Sequence, residues 1–280
     1  MAKKNDFWGF KLKLDDYFFV FSNTLIKVLF FLKGNKLALK NNINLKGKHK
    51  HKEAYIVLNG PSLKNQDIKP LKDKVLFFVN RAFKHEDYKY LKPDYHVFVD
   101  PKLASGEWPL TFLDTVLEIN PNVTLILNHK WFNLPKFQPY REMKNVYWVN
   151  CDLFFTQSFN QDIDLCKPMP GLAVFGTCFN AAVYTGCKKI NFVGFDSNGL
   201  PHEMVNSSES HFYGKNEENE LKTTKDFIRD LVMMSRSLTM LHFVADFCKR
   251  KNIQIFNSTE GGLLDMFERE EYPFQKIKNY

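Results

Sequence analysis

An α/β fold, with a mostly parallel sheet flanked by helices, is what this sequence predicts. Three observations carry that expectation. Apolar runs of four or five residues recur along the chain, each run ends on a polar residue, and the segments between runs are long enough for crossover helices. Unbroken apolar runs suit strands covered on both faces, as in a parallel sheet, whereas a strand with one wet face would alternate.

The first strand is residues 54–58, Ala-Tyr-Ile-Val-Leu, stopped by Asn59-Gly60-Pro61-Ser62-Leu63. Glycine admits close approach of a ligand, proline fixes its own φ, and Ser62 is placed to cap a following helix. Strand, tight turn and helix start together make the usual phosphate cradle of α/β proteins, although an ordinary turn has the same composition. Residues 75–79 read as a second strand ending at Asn80-Arg81, and 95–99 as a third ending at Asp100-Pro101. Shorter runs at 124–127 and 146–149 end at Asn128-His129 and Asn150. Residues 174–185 read as a helix with Gly176-Thr177 near its start, Ala181-Ala182 for close packing, and Gly186 just past its end. Another strand, 190–194, leads into Phe195-Asp196, and 225–251 reads as one long amphipathic helix or a pair. Residues 253–257 form a last strand, and Thr259-Glu260-Gly261-Gly262 a turn into a final short helix. In open parallel sheets ligands lie beyond the carboxyl ends of the strands, so Asn59, Asn80, Asp100 and Asp196 are expected around one crevice.

The 280 residues fit one catalytic domain, 53–280, behind an N-terminal segment, 1–52. That segment holds twelve lysines against Asp6, Asp15 and Asp16, a balance of +9, so the rest of a chain of net charge +8 carries −1. A nearly neutral body argues against nucleic acid as a partner. Residues 17–32 are the most hydrophobic stretch, but Ser22, Asn23, Thr24 and Lys27 make it a poor membrane span. With lysines on both sides it reads as an interfacial helix drawn to an anionic membrane surface, against the alternative of a helix packed on the protein itself. Residues 35–52 have the Lys, Asn and Gly content of a linker. Five cysteines without C-x-x-C spacing suggest neither a disulfide framework nor zinc, and point to a reducing compartment.

No P-loop, no Gly-x-Gly-x-x-Gly and no nucleophile elbow occurs. Asp162-Ile163-Asp164 has the form of a metal-binding Asp-x-Asp, but no strand precedes it. Residues 198–222 keep no apolar period and read as a lid over the site, which places His202 and His211 where a histidine could take a proton from an acceptor hydroxyl.

Taken in order, these motifs resemble those of two related groups across about residues 54–265. One is the bacterial sialyltransferases of glycosyltransferase family 42; the other is the motility-associated-factor and 6-hydroxymethylpterin-pyrophosphokinase-like proteins, long a domain of unknown function. Asn59-Gly60-Pro61-Ser62-Leu63 resembles the nucleotide-lining motif of both, and Val79-Asn80-Arg81 a strand end where asparagine meets the nucleotide. Lys92-Pro93-Asp94-Tyr95 through Asp100-Pro101 resembles the second group, where the sialyltransferases carry Asn-Pro. Gly176-Thr177 stands where the sialyltransferases have a donor-contacting turn, and Gly186-Cys187-Lys188 through Asp196 is similar to the passage before the lid in both. Ser210-His211-Phe212-Tyr213-Gly214 resembles a lid segment whose histidine is the general base, and residues 257–262 the closing motif of the motility-associated group. The tyrosine expected after the Gly-x-Asp strand end is replaced by Ser197-Asn198, which leaves Tyr213 as a substitute.

The resemblance implies a Rossmann-like, GT-A-like sialyltransferase variant with a small lid. It implies an inverting transferase that moves an acidic sugar, sialic acid or a related nonulosonate, from a CMP-sugar donor to a bacterial surface glycan or lipid-linked glycan. Asn59, Gly60, Ser62, Asn80, Gly176 and Thr177 would hold the donor, with Asp100 and Asp196 in the crevice, His211 as base and Tyr213 at the departing phosphate. No cofactor or metal is required on this reading, and the enzyme would sit peripherally on the inner face of the cytoplasmic membrane. The alternatives are an ATP- and magnesium-dependent pyrophosphokinase-like transferase, with Asp100 and Asp196 as metal ligands, and a non-catalytic sugar-nucleotide-binding protein.

Overall fold

The apolar runs pair side by side as parallel strands. In the computed structural model, which describes residues 7–32, 35–171, 173–197, 211–214, 223–262 and 264–272, eight strands form one sheet. They are β1 Glu53–Val57, β2 Val75–Val79, β3 Tyr95–Phe98, β4 Thr124–Asn128, β5 Val146–Val149, β6 Lys189–Val193, β7 Gln254–Asn257 and β8 Glu268–Arg269. Their order is β5-β4-β3-β2-β1-β6-β7-β8, and every pairing is parallel. The Rossmann-like α/β architecture expected from the sequence is the one the chain adopts. The order reverses between β1 and β6, which makes the gap beyond their carboxyl ends the topological switch point.

Both faces of the sheet are covered, and side-chain alternation along β1 shows how. Ala54 and Ile56 join one hydrophobic core, with Phe175, Phe179, Phe243 and Phe247; Tyr55 and Val57 join the other, with Leu63, Leu71, Tyr88 and Leu113. The first core is closed by two helices beyond the strands, Val174–Tyr184 and Thr224–Lys251. The second lies under shorter helices, Tyr88–Leu91, Pro101–Ser105, Thr111–Ile119 and Gln138–Arg141. In chain order the helices are α1 Phe7–Leu32, α2 to α5 as just given from Tyr88 to Arg141, α6 Val174–Tyr184 and α7 Thr224–Lys251. By length and composition α7 could cross a membrane, yet nearly half of its apolar stretch is buried in the fold. Its buried Phe243, Val244 and Phe247 make it a core helix.

Three local expectations differ from what forms. Residues 35–52 are not a solvated linker: Asn35–Leu45 is a 3-10 helix with Leu39 and Leu45 buried, and the buried Asn42 amide donates to the carbonyls of Trp148 and Leu165, both at 2.7 Å. The next residues run along the turn after α6, where the N–H groups of Gly47, His49 and His51 donate to Tyr184, Thr185 and Gly186. The turn after β1 winds into a 3-10 helix, Pro61–Asn65, whose N-cap is Gly60 rather than Ser62. After Gly262 the chain adds β8 to the sheet edge, and the described residues 264–272 hold no helix.

Helix α1 is docked through polar groups. Asn23 exchanges two hydrogen bonds with the backbone of Phe154, at 2.9 and 2.8 Å, and Asp16 accepts from the N–H of Gln157. Lys11, Asp15 and Thr239 of α7 form a closed set of contacts, while Phe19 stacks on Phe154 at 4.4 Å. Most of the remaining apolar side chains of α1 stay exposed, among them Phe7, Phe10, Tyr17 and Phe21.

Candidate functional site

At the switch point the loops after β1 and β6 lie in direct contact. Leu58 N–H donates to Val193 and Gly60 N–H to Gly194, at 3.0 and 2.7 Å. A Cβ on Gly60 would collide with the Asp196 carboxylate and the Gly194 carbonyl, so glycine is required there by the approach of its own chain. Gly194 sits at φ 69, the left-handed region glycine favours. Asp196, buried, accepts from both the N–H and the hydroxyl of Ser62, at 3.1 and 2.8 Å. The first helical turn after β1 therefore already holds an anion, the protein's own carboxylate.

The next loop, after β2, is held differently. Asn80 takes φ 45, and its carbonyl accepts from Nε2 of His96 at 2.8 Å. That fixes the proton on Nε2, so Nδ1 accepts from the Tyr88 hydroxyl, also at 2.8 Å. Burial drives the His96 pKa down to about 3, with the Asn80 hydrogen bond opposing, and the ring stays neutral near pH 7. Arg81 stacks on Trp108 and Phe112.

The strand-end residues then divide into two kinds. Asp100 and Asn128 cap the turns that follow, accepting from the N–H groups of Lys102 and Lys130, each at 3.0 Å. Asn59 and Asn80 instead keep buried Oδ1 atoms with no hydrogen-bond partner among the described residues. A buried acceptor left unpaired costs on the order of 1–3 kcal/mol, so these two oxygens, on neighbouring strands, stand to gain from a ligand's N–H or O–H.

A cavity of about 500 Å3 opens beyond the ends of β2 to β5 and brings together Asn80, Asp100 and Thr177 of the sequence-predicted residues. It adds residues that the sequence reading missed: Lys130 and Asp152, ion-paired at 3.1 Å, with Met233 and Ser237 from α7. Asn128 donates to Asp152 at 3.2 Å, and His129 lies 3.6 Å from it, its pKa lowered by burial against the opposing pull of that carboxylate. The start of α6 faces the same cavity through Ala173, Val174 and Thr177, with no side-chain cap. The Thr177 hydroxyl donates back to Ala173 at 3.2 Å, and Gly176 lies against Gly171, where a Cβ would overlap backbone.

Asn59, Gly60, Ser62 and Asp196 form the neighbouring switch-point cluster rather than the cavity wall, as does the described part of the lid. There Phe212 N–H donates to the Asn59 carbonyl at 3.1 Å, and His211 and Tyr213 stack at 5.0 Å, with the Lys84 ammonium 5.2 Å over the Tyr213 ring. His202 and the rest of the expected lid, 198–210 and 215–222, lie outside the described residues. Asp162 and Asp164 lie apart, paired with Lys251 and Lys167. Among the described residues no three His, Cys, Asp or Glu side chains gather as a metal site.

A family model described as 6-hydroxymethylpterin diphosphokinase MptE-like matches residues 23–198. Among solved structures the chain is similar to the sialyltransferase CstII from Campylobacter jejuni, solved in complex with a substrate analogue, cytidine-5'-monophosphate. The identity is 16%, the TM-score 0.42, and the alignment covers 82% of this chain and 92% of that one. No curated protein sequence matches.

Proposed function

The chain belongs to the 6-hydroxymethylpterin diphosphokinase MptE-like family, and with that membership as premise we propose that it is a transferase using a nucleotide donor, specifically a glycosyltransferase drawing on a CMP-activated acidic sugar. One observation carries the reading: the unpaired buried oxygens of Asn59 and Asn80 stand at adjacent strand ends, beside a cavity of nucleotide size. Ribose hydroxyls and the amine of cytosine are donors suited to those acceptors. The uncapped start of α6, with Thr177 on its first turn, offers N–H groups to the donor's phosphate.

In the proposed step the acceptor oxygen attacks the anomeric carbon and the bond from that carbon to the phosphate oxygen breaks with inversion. Its electron pair leaves on CMP. The acceptor's proton passes to a ring nitrogen of His211, and the Tyr213 hydroxyl donates to the departing phosphate, with Lys84 beside it. Binding of Phe212 to the Asn59 carbonyl ties this turn to the donor loop. His211→Ala should lose most turnover of a CMP-sugar while keeping thermal stabilisation by CMP; full turnover would remove the base assignment.

A second reading, an ATP- and magnesium-dependent diphosphokinase, draws on the family description and on two carboxylates, Asp100 and Asp152, at one cavity. Its original ligand pair fares less well, because Asp196 is engaged with Ser62 outside the cavity wall. Thermal shift separates the two: stabilisation by CMP or CDP supports the glycosyltransferase, and stabilisation by ATP only with magnesium supports the kinase. Hydrolysis of a CMP-sugar without acceptor would set either enzyme apart from a mute binder.

A further inference from the structure

Helix α1 turns Lys11, Asp15, Asp16 and Asn23 toward the body it rests on and most of its large apolar side chains away from it. At 100° per residue, Lys11, Leu12, Asp15, Asp16, Phe19, Asn23 and Phe30 fall on one side, and this is the side whose polar groups bond to α7 and the 154–157 loop. The opposite side carries Phe7, Phe10, Leu14, Tyr17, Phe21 and Val28, exposed by 50 to 75%. An apolar stripe of this length turned to water is far beyond what a soluble surface ordinarily shows.

We propose that this outer face of α1 seats the protein on an anionic lipid surface, with the helix lying in the interface plane. Two observations favour lipid over a second copy of the chain. Spacing of three and four along the stripe would suit a coiled coil, but the flanking positions, where such a pair carries charges, hold Phe18, Val20 and Phe31, all exposed. The apolar arc is thus too broad for a two-helix seam and suits a bilayer. The charge also fits: Lys13 and Lys27 border the stripe, and exposed Lys40, Lys46 and Lys50 follow in the adjoining segment.

The seat has a consequence at the site. On its inner side α1 presents Ile26, Leu29 and Phe30 to a second cavity of about 520 Å3, and this cavity shares Lys130 and Asp152 with the first. An amphiphilic acceptor taken from the bilayer could then reach Asp152 along α1. That consequence rests on the transferase reading, whereas the seat itself does not.

The test is flotation of the full-length protein with phosphatidylglycerol/phosphatidylethanolamine vesicles and with phosphatidylcholine vesicles. Wild type should float with the anionic vesicles, and Phe10→Glu/Phe21→Glu should cut the bound fraction about tenfold at unchanged melting temperature, since both rings are exposed. Lys13→Glu/Lys27→Glu should weaken binding to the anionic vesicles alone. Failure of wild type to float, equal flotation of the Phe variant, or a dimer that the Phe variant dissociates would each overturn the seat. Loss of CMP stabilisation with flotation intact would count against the transferase reading and leave the seat standing.

Discussion

The hydroxyl of Ser62 and the carboxylate of Asp196 meet at 2.8 Å across the two loops that flank the switch point, and the same carboxylate takes the Ser62 N–H at 3.1 Å. Both residues are buried, so the loops after β1 and β6 are fastened at the place where an open α/β sheet usually leaves its crevice. Asp196→Ala would strand two buried donors and should lower unfolding free energy by about 2–4 kcal/mol in urea titration, with Asp196→Asn losing less. Gly60→Ala should cost at least as much, because its methyl has no space beside Asp196.

Asn80 allows the side chain's role to be separated from the backbone's. Its φ of 45 is tolerated by asparagine and glycine but strains alanine. Asn80→Gly should therefore stay within about 1 kcal/mol of wild-type stability while losing roughly tenfold in nucleotide affinity; unchanged affinity by calorimetry would take Asn80 out of the donor site.

His96 makes stability depend on pH in a defined direction. Its folded pKa of about 3 lies below the unfolded value, so its contribution is whole above pH 6.5 and is lost as pH falls toward 3. His49 and His129 are lowered by burial and act in the same sense. Unfolding free energy should drop by about 2 kcal/mol between pH 7 and pH 5 from His96 alone, and His96→Gln should flatten that slope.

The thiols should differ sharply in reactivity. Burial pushes Cys151 and Cys248 up to about 12 and Cys187 to about 11, and Cys178 is raised as well, whereas Cys166 is partly exposed. Native protein should titrate one fast thiol with Ellman's reagent and five after denaturation, and Cys166→Ser should abolish the fast phase.

Much of this was legible because it is local. An unbroken run such as 75–79, short and ended by a polar residue, suits a doubly covered strand, and Gly186, at φ 90 just beyond α6, marks its end as a glycine there should. What escaped depends on partners far away in sequence. Asn42 looks like linker composition until its amide reaches Trp148 and Leu165. Lys130 and Asp152 belong to no motif, and only the side-by-side packing of β4 and β5 makes them one ion pair at the cavity. The inward turn of Asp15, Asp16 and Asn23 is decided by acceptors and donors on α7 and the 154–157 loop, which the sequence of α1 by itself does not reveal.

The docking of residues 47–51 onto the end of α6 governs where the chain can be shortened. A trimmed version starting near residue 53 would strip hydrogen bonds from Tyr184, Thr185 and Gly186 and uncover what Leu45 now shields, so poor behaviour of such a fragment would report damage to the fold rather than loss of an anchor. Removing residues 1–32 instead takes away α1 and leaves that brace in place, at the cost of the contacts Phe19 makes with Phe154 and Phe243.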